Sequence, residues 1–164
     1  MPLSTTYDQP NCSVASALDV VGTRWTLLVL RELFLGVHRF GEMQADLGVA
    51  RNVLQDRLER LVEAGIVERR SYQQRPPRHD YHLTEKGLDL WPALITLMQW
   101  GDRHVFGGED LPVVLAHRDC GGGVDTHLCC ERCGARLGPR DVWASAGERA
   151  GDGHPLHRRS LANA

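Results

Sequence analysis

The sequence predicts a mainly α-helical chain with one small β-ribbon, followed by a separate cysteine-rich module. Three observations carry that reading. Apolar residues recur at helical spacing in five successive segments between Cys12 and Val105. One stretch, Ile66 to Tyr72, alternates apolar and polar residues instead, and is followed by an arginine-proline loop and a short return, Asp80 to Leu83. Past Gly107-Gly108 and Pro112 the periodicity lapses, and Cys, His, Gly and Arg take over. At 164 residues the chain can build one ordinary core and a small appendage. The expected division is 1–106 for the helical domain, 107–143 for the cysteine-rich module and 144–164 for a disordered tail.

The first helix is expected from Cys12 to Val21, with Val14, Ala17, Leu18 and Val21 on one side and Gly22 at its end. Thr23 can cap the next helix, Arg24 to Leu35, which is apolar on nearly every face and so belongs in the core. Phe40 to Leu47 forms a short helix with Phe40, Met43 and Leu47 inward. Gly48 makes a turn that a residue without a β-carbon enters cheaply. Arg51 to Ala64 follows as a helix, its Leu54, Leu58, Leu61 and Val62 at helical spacing. In the ribbon, Arg75-Pro76-Pro77-Arg78 is expected to be loop, because prolines cannot serve a strand ladder. Thr84-Glu85-Lys86-Gly87 then caps a single long helix reaching Val105. Its Leu88, Trp91, Leu94, Ile95, Met98 and Trp100 exceed what a small domain needs to cover. Part of that surface, with the first helix, is expected to form a symmetric dimer; Trp91, Met98 and Trp100 could equally line a small-molecule pocket.

Two helices about Gly48, followed by a ribbon, make a winged helix-turn-helix. The second of these helices opens on polar residues and closes on a regular apolar stripe. It can therefore dock by one face and offer Arg51, Asn52 and Gln55 to base edges. Arg pairs with guanine, and Asn or Gln with adenine, through two hydrogen bonds. Arg39 precedes the motif and could hold a phosphate, while Arg75 and Arg78 on the wing would meet the minor groove or backbone. Arg57 and Arg60 lie one or two turns deeper and are expected to make contacts within the chain. The net charge of −2 argues weakly against a nucleic-acid partner. Local charge matters more, because phosphate attraction is screened over roughly 8–10 Å. Between Arg69 and His79 stand four arginines (Arg69, Arg70, Arg75, Arg78) and no acid. A dimer would set two reading helices one DNA turn apart, ~34 Å.

Other classes fit less well. No Gly-rich phosphate loop, nucleophile elbow or paired-carboxylate site appears, so an enzyme is not expected. A protein-interaction module that has abandoned DNA is the rival reading, but it need not keep a polar reading edge and a basic wing. The longest apolar stretch, Trp25 to Leu35, is interrupted by Arg31 and Glu32 and is too short to cross a bilayer. With no secretory signal pattern at the N-terminus, a cytoplasmic location is expected.

Four runs carry a family likeness: Trp25-Thr26-Leu27-Leu28-Val29-Leu30-Arg31-Glu32-Leu33, Gly36-Val37-His38-Arg39-Phe40-Gly41-Glu42, Val53-Leu54-Gln55-Asp56-Arg57-Leu58 and Tyr81-His82-Leu83-Thr84-Glu85-Lys86-Gly87. In order and spacing they resemble the HxlR-type winged-helix transcriptional regulators of bacteria, from about Cys12 to Asp102. The resemblance implies a homodimer that binds a palindromic operator in double-stranded DNA and regulates nearby genes; blocking a promoter, hence repression, is the simplest use. Arg51-Asn52 stands where the family commonly has a pair of lysines, and Asp56 adds an acid, so the base preference is this chain's own.

The cysteines divide into two groups. His117-Arg118-Asp119-Cys120-Gly121 and Cys130-Glu131-Arg132-Cys133-Gly134 repeat one pattern: two ligands, two residues apart, then glycine. Two such tight turns supply the four tetrahedral ligands of a structural Zn2+ ion, with no open position for catalysis. His117, Cys120, Cys130 and Cys133 are the expected set; Cys129 could replace His117, and His127 is a weaker substitute. The pattern also resembles the zinc-ribbon-like tail of some family members. Cys12, by contrast, falls at the start of the first helix, where the dipole favours a thiolate. Several relatives use an N-terminal cysteine at this place to sense oxidants or electrophiles, which makes Cys12 a redox-sensing candidate and an oxidant or small molecule a candidate effector.

Overall fold

The computed structural model describes residues 12–150 and Leu156; the expectations for residues 1–11 and for the rest of 151–164 lie outside them. Two compact units divide between Leu88 and Asp89.

In the first unit, α1 (Ser13–Val21), α2 (Thr26–Phe34), α3 (Phe40–Leu47) and α4 (Arg51–Glu63) precede a ribbon of β1 (Val67–Gln74) and β2 (Pro77–Leu83), and α5 (Glu85–Leu88) closes the unit. This is a winged helix-turn-helix. Its core is drawn from the apolar faces of α2 (Val29, Leu30, Leu33), α3 (Met43) and α4 (Leu54, Leu58, Leu61), joined by Val37, Ile66 and Val67, none of them more than 3% exposed. Burying each Leu contributes roughly 1.5–3 kcal/mol. On α1 only Ala15 and Val21 are buried, while Val14 and Leu18, on the side expected to be apolar, are exposed along with Val20.

Three local differences from expectation have physical causes. Helix α2 starts at Thr26, two residues late, because Thr23 to Trp25 form a turn. The Thr26 N–H reaches the Thr23 carbonyl at 3.1 Å and the two hydroxyls lie 2.6 Å apart. The ribbon is longer than expected: Pro77 and Arg78 belong to β2, opposite Gln74 and Gln73, and only Arg75-Pro76 turns. A proline at the first residue of an edge strand removes no ladder bond that the ribbon needs. From Glu68 to Ser71 every β1 residue is exposed, so the alternation that suggests a half-buried strand continues beyond the core rather than across it.

The third difference is the long helix. It breaks after Leu88, and α6 (Trp91–His104) begins afresh with Pro92 in its first turn. Pro92 has no N–H to donate, and its ring would collide with the Leu88 carbonyl in a continuous helix. At the break, Gly87 is pressed against the chain: a β-carbon there would lie 2.3 Å from the Ile66 carbonyl oxygen. Gly87→Ala is therefore expected to destabilise the first unit by ~2 kcal/mol or more, read as a lower thermal midpoint. An unchanged midpoint would mean that the approach relaxes freely. The neighbouring Thr84 hydroxyl donates to the Gly65 carbonyl (2.7 Å), and Lys86 Nζ donates to the Ala64 carbonyl (2.7 Å), closing the end of α4.

The second unit holds α6 and an antiparallel pair, β3 (Val113–His117) and β4 (Val142–Ala146). Helix α6 groups with the cysteine-rich segment, where Gln99 Nε2 donates to the Val124 and Asp125 carbonyls at 3.1 and 3.0 Å. The disordered tail expected from residue 144 does not begin there, because Ala144, Ser145 and Ala146 pair with Leu115, Val114 and Val113. Small residues without alternation hid that strand. Among the described residues no single helix is long and apolar enough to cross a membrane.

Candidate nucleic-acid interface and metal centre

Gly48 sits at φ +60° and turns the chain from α3 into α4, whose first residue is Arg51. Leu54, Leu58 and Leu61 hold one face of α4 in the core at no more than 1% exposure, and Arg51, Asn52 and Gln55 stand exposed on its first turns. The Arg51 guanidinium lies 5.2 Å over the Phe40 ring, so its plane has a shelf. Gln55 Nε2 donates to Glu59 (3.0 Å), which occupies one of its two N–H groups. Arg57 donates to the Thr23 hydroxyl (2.9 Å), and both Arg57 and Arg60 pair with Asp56. Asp56 is thus occupied by arginines deeper on the same helix.

On the wing, Arg75 and Arg78 are exposed beside the turn. Arg70, counted in the basic run, is paired with Glu68 at 2.6 Å, so its charge is largely offset. Arg39 is exposed at the start of α3, its Nε 3.8 Å from the Asp80 carboxylate and its guanidinium 5.3 Å over the Tyr72 ring. A phosphate at Arg39 would compete with Asp80. Sequence reasoning missed Phe40, Tyr72 and Asp80 as supports of the arginines, since nothing local marks contacts across such separations.

The metal-binding pattern closes in space. His117 Nδ1 lies 3.3 Å from Cys120 Sγ and 3.4 Å from Cys133 Sγ, Cys120 Sγ lies 3.3 Å from Cys130 Sγ, and all four ligand atoms fall within 4.8 Å of one another. A tetrahedral zinc site with these donors has ligand–ligand edges of about 3.5–3.8 Å, so the set fits. Each half is a tight turn closed by its glycine: Gly121 N–H donates to the His117 carbonyl and Gly134 N–H to the Cys130 carbonyl, both at 2.8 Å, with both glycines at positive φ. Gly122 has a steric reason too, since a β-carbon there would come 2.6 Å from Cys130 Sγ.

Backbone N–H groups of Cys133, and then of Arg132, favour the Cys130 thiolate and bring its thiol down to about 6. His117 turns Nδ1 toward the sulfurs, and its Nε2 lies 3.6 Å from the exposed Asp119 carboxylate. Cys129 and His127 are not brought into the group: Cys129 Sγ points to the His127 carbonyl at 3.8 Å. Asp125 holds this loop by accepting the His127 and Cys129 N–H groups at 2.8 Å, the Cys129 bond being the stronger influence keeping its carboxyl below the usual range.

Cys12 is half-buried at the N-cap of α1, its Sγ 3.5 Å from the Ala15 N–H. Along α6 an open apolar groove of about 500 Å³ is lined by Pro92, Ala93, Thr96, Leu97 and Trp100. Trp91 is buried instead of lining it.

Residues 20–107 match the model of the HxlR-like helix-turn-helix family. An uncharacterized HTH-type transcriptional regulator of Mycobacterium bovis is 47% identical over 82% of this chain and 85% of its own length. Among solved structures, PA1607, a candidate transcription factor, is 38% identical with a TM-score of 0.66, covering 81% of this chain and 93% of that one. The redox regulator HypR in its oxidized form is 33% identical with a TM-score of 0.53, covering 57% of this chain and 97% of that one.

Proposed function

Because this chain belongs to the HxlR-like helix-turn-helix family of transcriptional regulators, and not to a family of enzymes, we propose that it is a repressor that binds a palindromic DNA operator as a homodimer. The observation that carries this is the exposed edge Arg51, Asn52 and Gln55 on a helix whose opposite face is fully buried. The exposed apolar residues of α1 (Val14, Leu18, Val20) and α6 (Leu97, Trp100) support self-association. Fluorescence anisotropy with DNA upstream of the chain's own gene, titrated against salt, tests the reading. Site-selective binding with a steep salt dependence is expected; equal, weak binding to every sequence would favour the interaction-module alternative.

His117 Nδ1 and the sulfurs of Cys120, Cys130 and Cys133 would hold a structural Zn2+ ion, which supplies cross-linking rather than chemistry. Redox responsiveness through Cys12 is part of the proposal, supported by its N-cap position and the likeness to HypR. Under peroxide the wild type is expected to lose operator affinity at least ~10-fold, and Cys12→Ser is expected to be unaffected. An equal response in both would remove Cys12 from the mechanism.

A further inference from the structure

Two titratable groups meet at the root of the wing without a part in base reading or metal binding. His38 enters α3, and His82 lies near the end of β2; their rings stack with centroids 4.2 Å apart and planes 21° apart. His38 also grips the strand twice. Its carbonyl accepts the Tyr81 N–H at 2.9 Å, and its Nδ1 lies 2.8 Å from the Tyr81 carbonyl. A carbonyl only accepts, so the ring proton of His38 sits on Nδ1. Arg39 and Asp80 continue the contact as an isolated antiparallel bridge. His38-Arg39 thus forms a short third edge to the ribbon, with the imidazole stack as its side-chain part.

We propose that His38 and His82 are positioning residues for DNA recognition: their stacked rings clasp the wing to the helix-turn-helix, and proton uptake by His82 opens the clasp. This role rests on the DNA-binding function proposed for the chain. The clasp joins the residue before Arg39, at the start of α3, to the strand that carries Arg78, so it sets where the wing arginines stand relative to Arg51 and Asn52. Flexing here would let each half touch DNA without both touching together.

Charge decides the stack because two imidazolium rings face to face repel. Around His82 stand His38 from the loop before α3, Arg70 and Glu68 from β1, and Asp80 from β2, with Arg39 paired to Asp80. Burial, then His38 and Arg70, outweigh the two acids and hold the His82 ring below its ordinary value. An opened His82 takes up its proton near the ordinary histidine value of ~6.5. The clasp is therefore complete above that pH and weakens as pH falls below it, since the open state binds the proton more tightly.

The test measures operator affinity at constant ionic strength from pH 7.5 to 5.5 for the wild type, His82→Phe and His82→Lys, with thermal melts at pH 7.5 to verify folding. Phe keeps the stack and cannot titrate; Lys carries a permanent charge. The wild type is expected to lose affinity relative to His82→Phe as pH falls below ~6.5, by at most ~10-fold at pH 5.5, and His82→Lys to bind weakly even at pH 7.5. Parallel profiles for the wild type and His82→Phe would overturn the clasp while leaving DNA binding intact. An absence of site-selective binding by the wild type at pH 7.5 would instead overturn the DNA reading and, with it, the positioning role.

Discussion

Replacing Asn52 with alanine is expected to lower operator affinity by ~1–3 kcal/mol, roughly 5- to 150-fold, with no change in thermal stability. The loss should concentrate on the cognate site, so that the ratio of operator to scrambled DNA collapses toward one. Arg51→Ala belongs to the same class, since its guanidinium is exposed and shelved on Phe40 instead of being tied to an acid. Gln55→Ala should cost less, because its amide is shared with Glu59 on the same helix. The wing provides the contrast. Arg75→Ala and Arg78→Ala should weaken binding to operator and scrambled DNA alike, each lowering the salt slope by about one. Stability is insulated in all of these variants, as none of the side chains contributes to the buried set of Leu54, Leu58 and Leu61. Affinity that survives Arg51→Ala and Asn52→Ala together would show that the edge of α4 does not read bases.

How far the residues alone foretold this arrangement depends on the range of each signal. The α3–Gly48–α4 unit was legible because its apolar spacing is local and a glycine marks the turn. The two metal-ligand turns were legible for the same reason: each spans a few residues and ends on glycine. The break at Pro92 was written in the sequence but outweighed by a continuous apolar stripe on either side of it. Strand β4 was missed because Ala144, Ser145 and Ala146 have neither the bulk nor the alternation of a typical strand. Contacts that tune the site were beyond local reading altogether. Asp80 beside Arg39, Phe40 beneath Arg51 and the His38–His82 stack join segments that only the folded chain brings together.

Stripping metal from the second unit should unfold most of the chain beyond Gly108. The described apolar residues buried there are few and mostly small: Ala116, Cys130, Leu137, Val142 and Ala150, with Leu156 beyond them. Such a set cannot order a segment of this length by itself, whereas structural zinc contributes on the order of 10 kcal/mol at neutral pH. The protein as purified is expected to carry one zinc per chain. A strong chelator should abolish the near-ultraviolet signal of Trp143 while the first unit keeps its helices. Cys130→Ser should behave like the chelated protein. Cys129→Ser should retain zinc and His117→Ala should weaken it, which separates the two candidates for the fourth ligand by experiment. Acidification acts on the same site. Cys130 is brought from 9.0 to about 6, so its thiolate persists above pH 6 and is lost as pH falls through that value; bound zinc competes with the proton and carries release lower still. Metal should therefore be held at pH 7 and released below pH 6. Protein that is isolated free of metal, or that keeps an unaltered spectrum and thermal midpoint under chelation and in Cys130→Ser, would show that hydrogen bonds and packing hold the four ligands together without an ion.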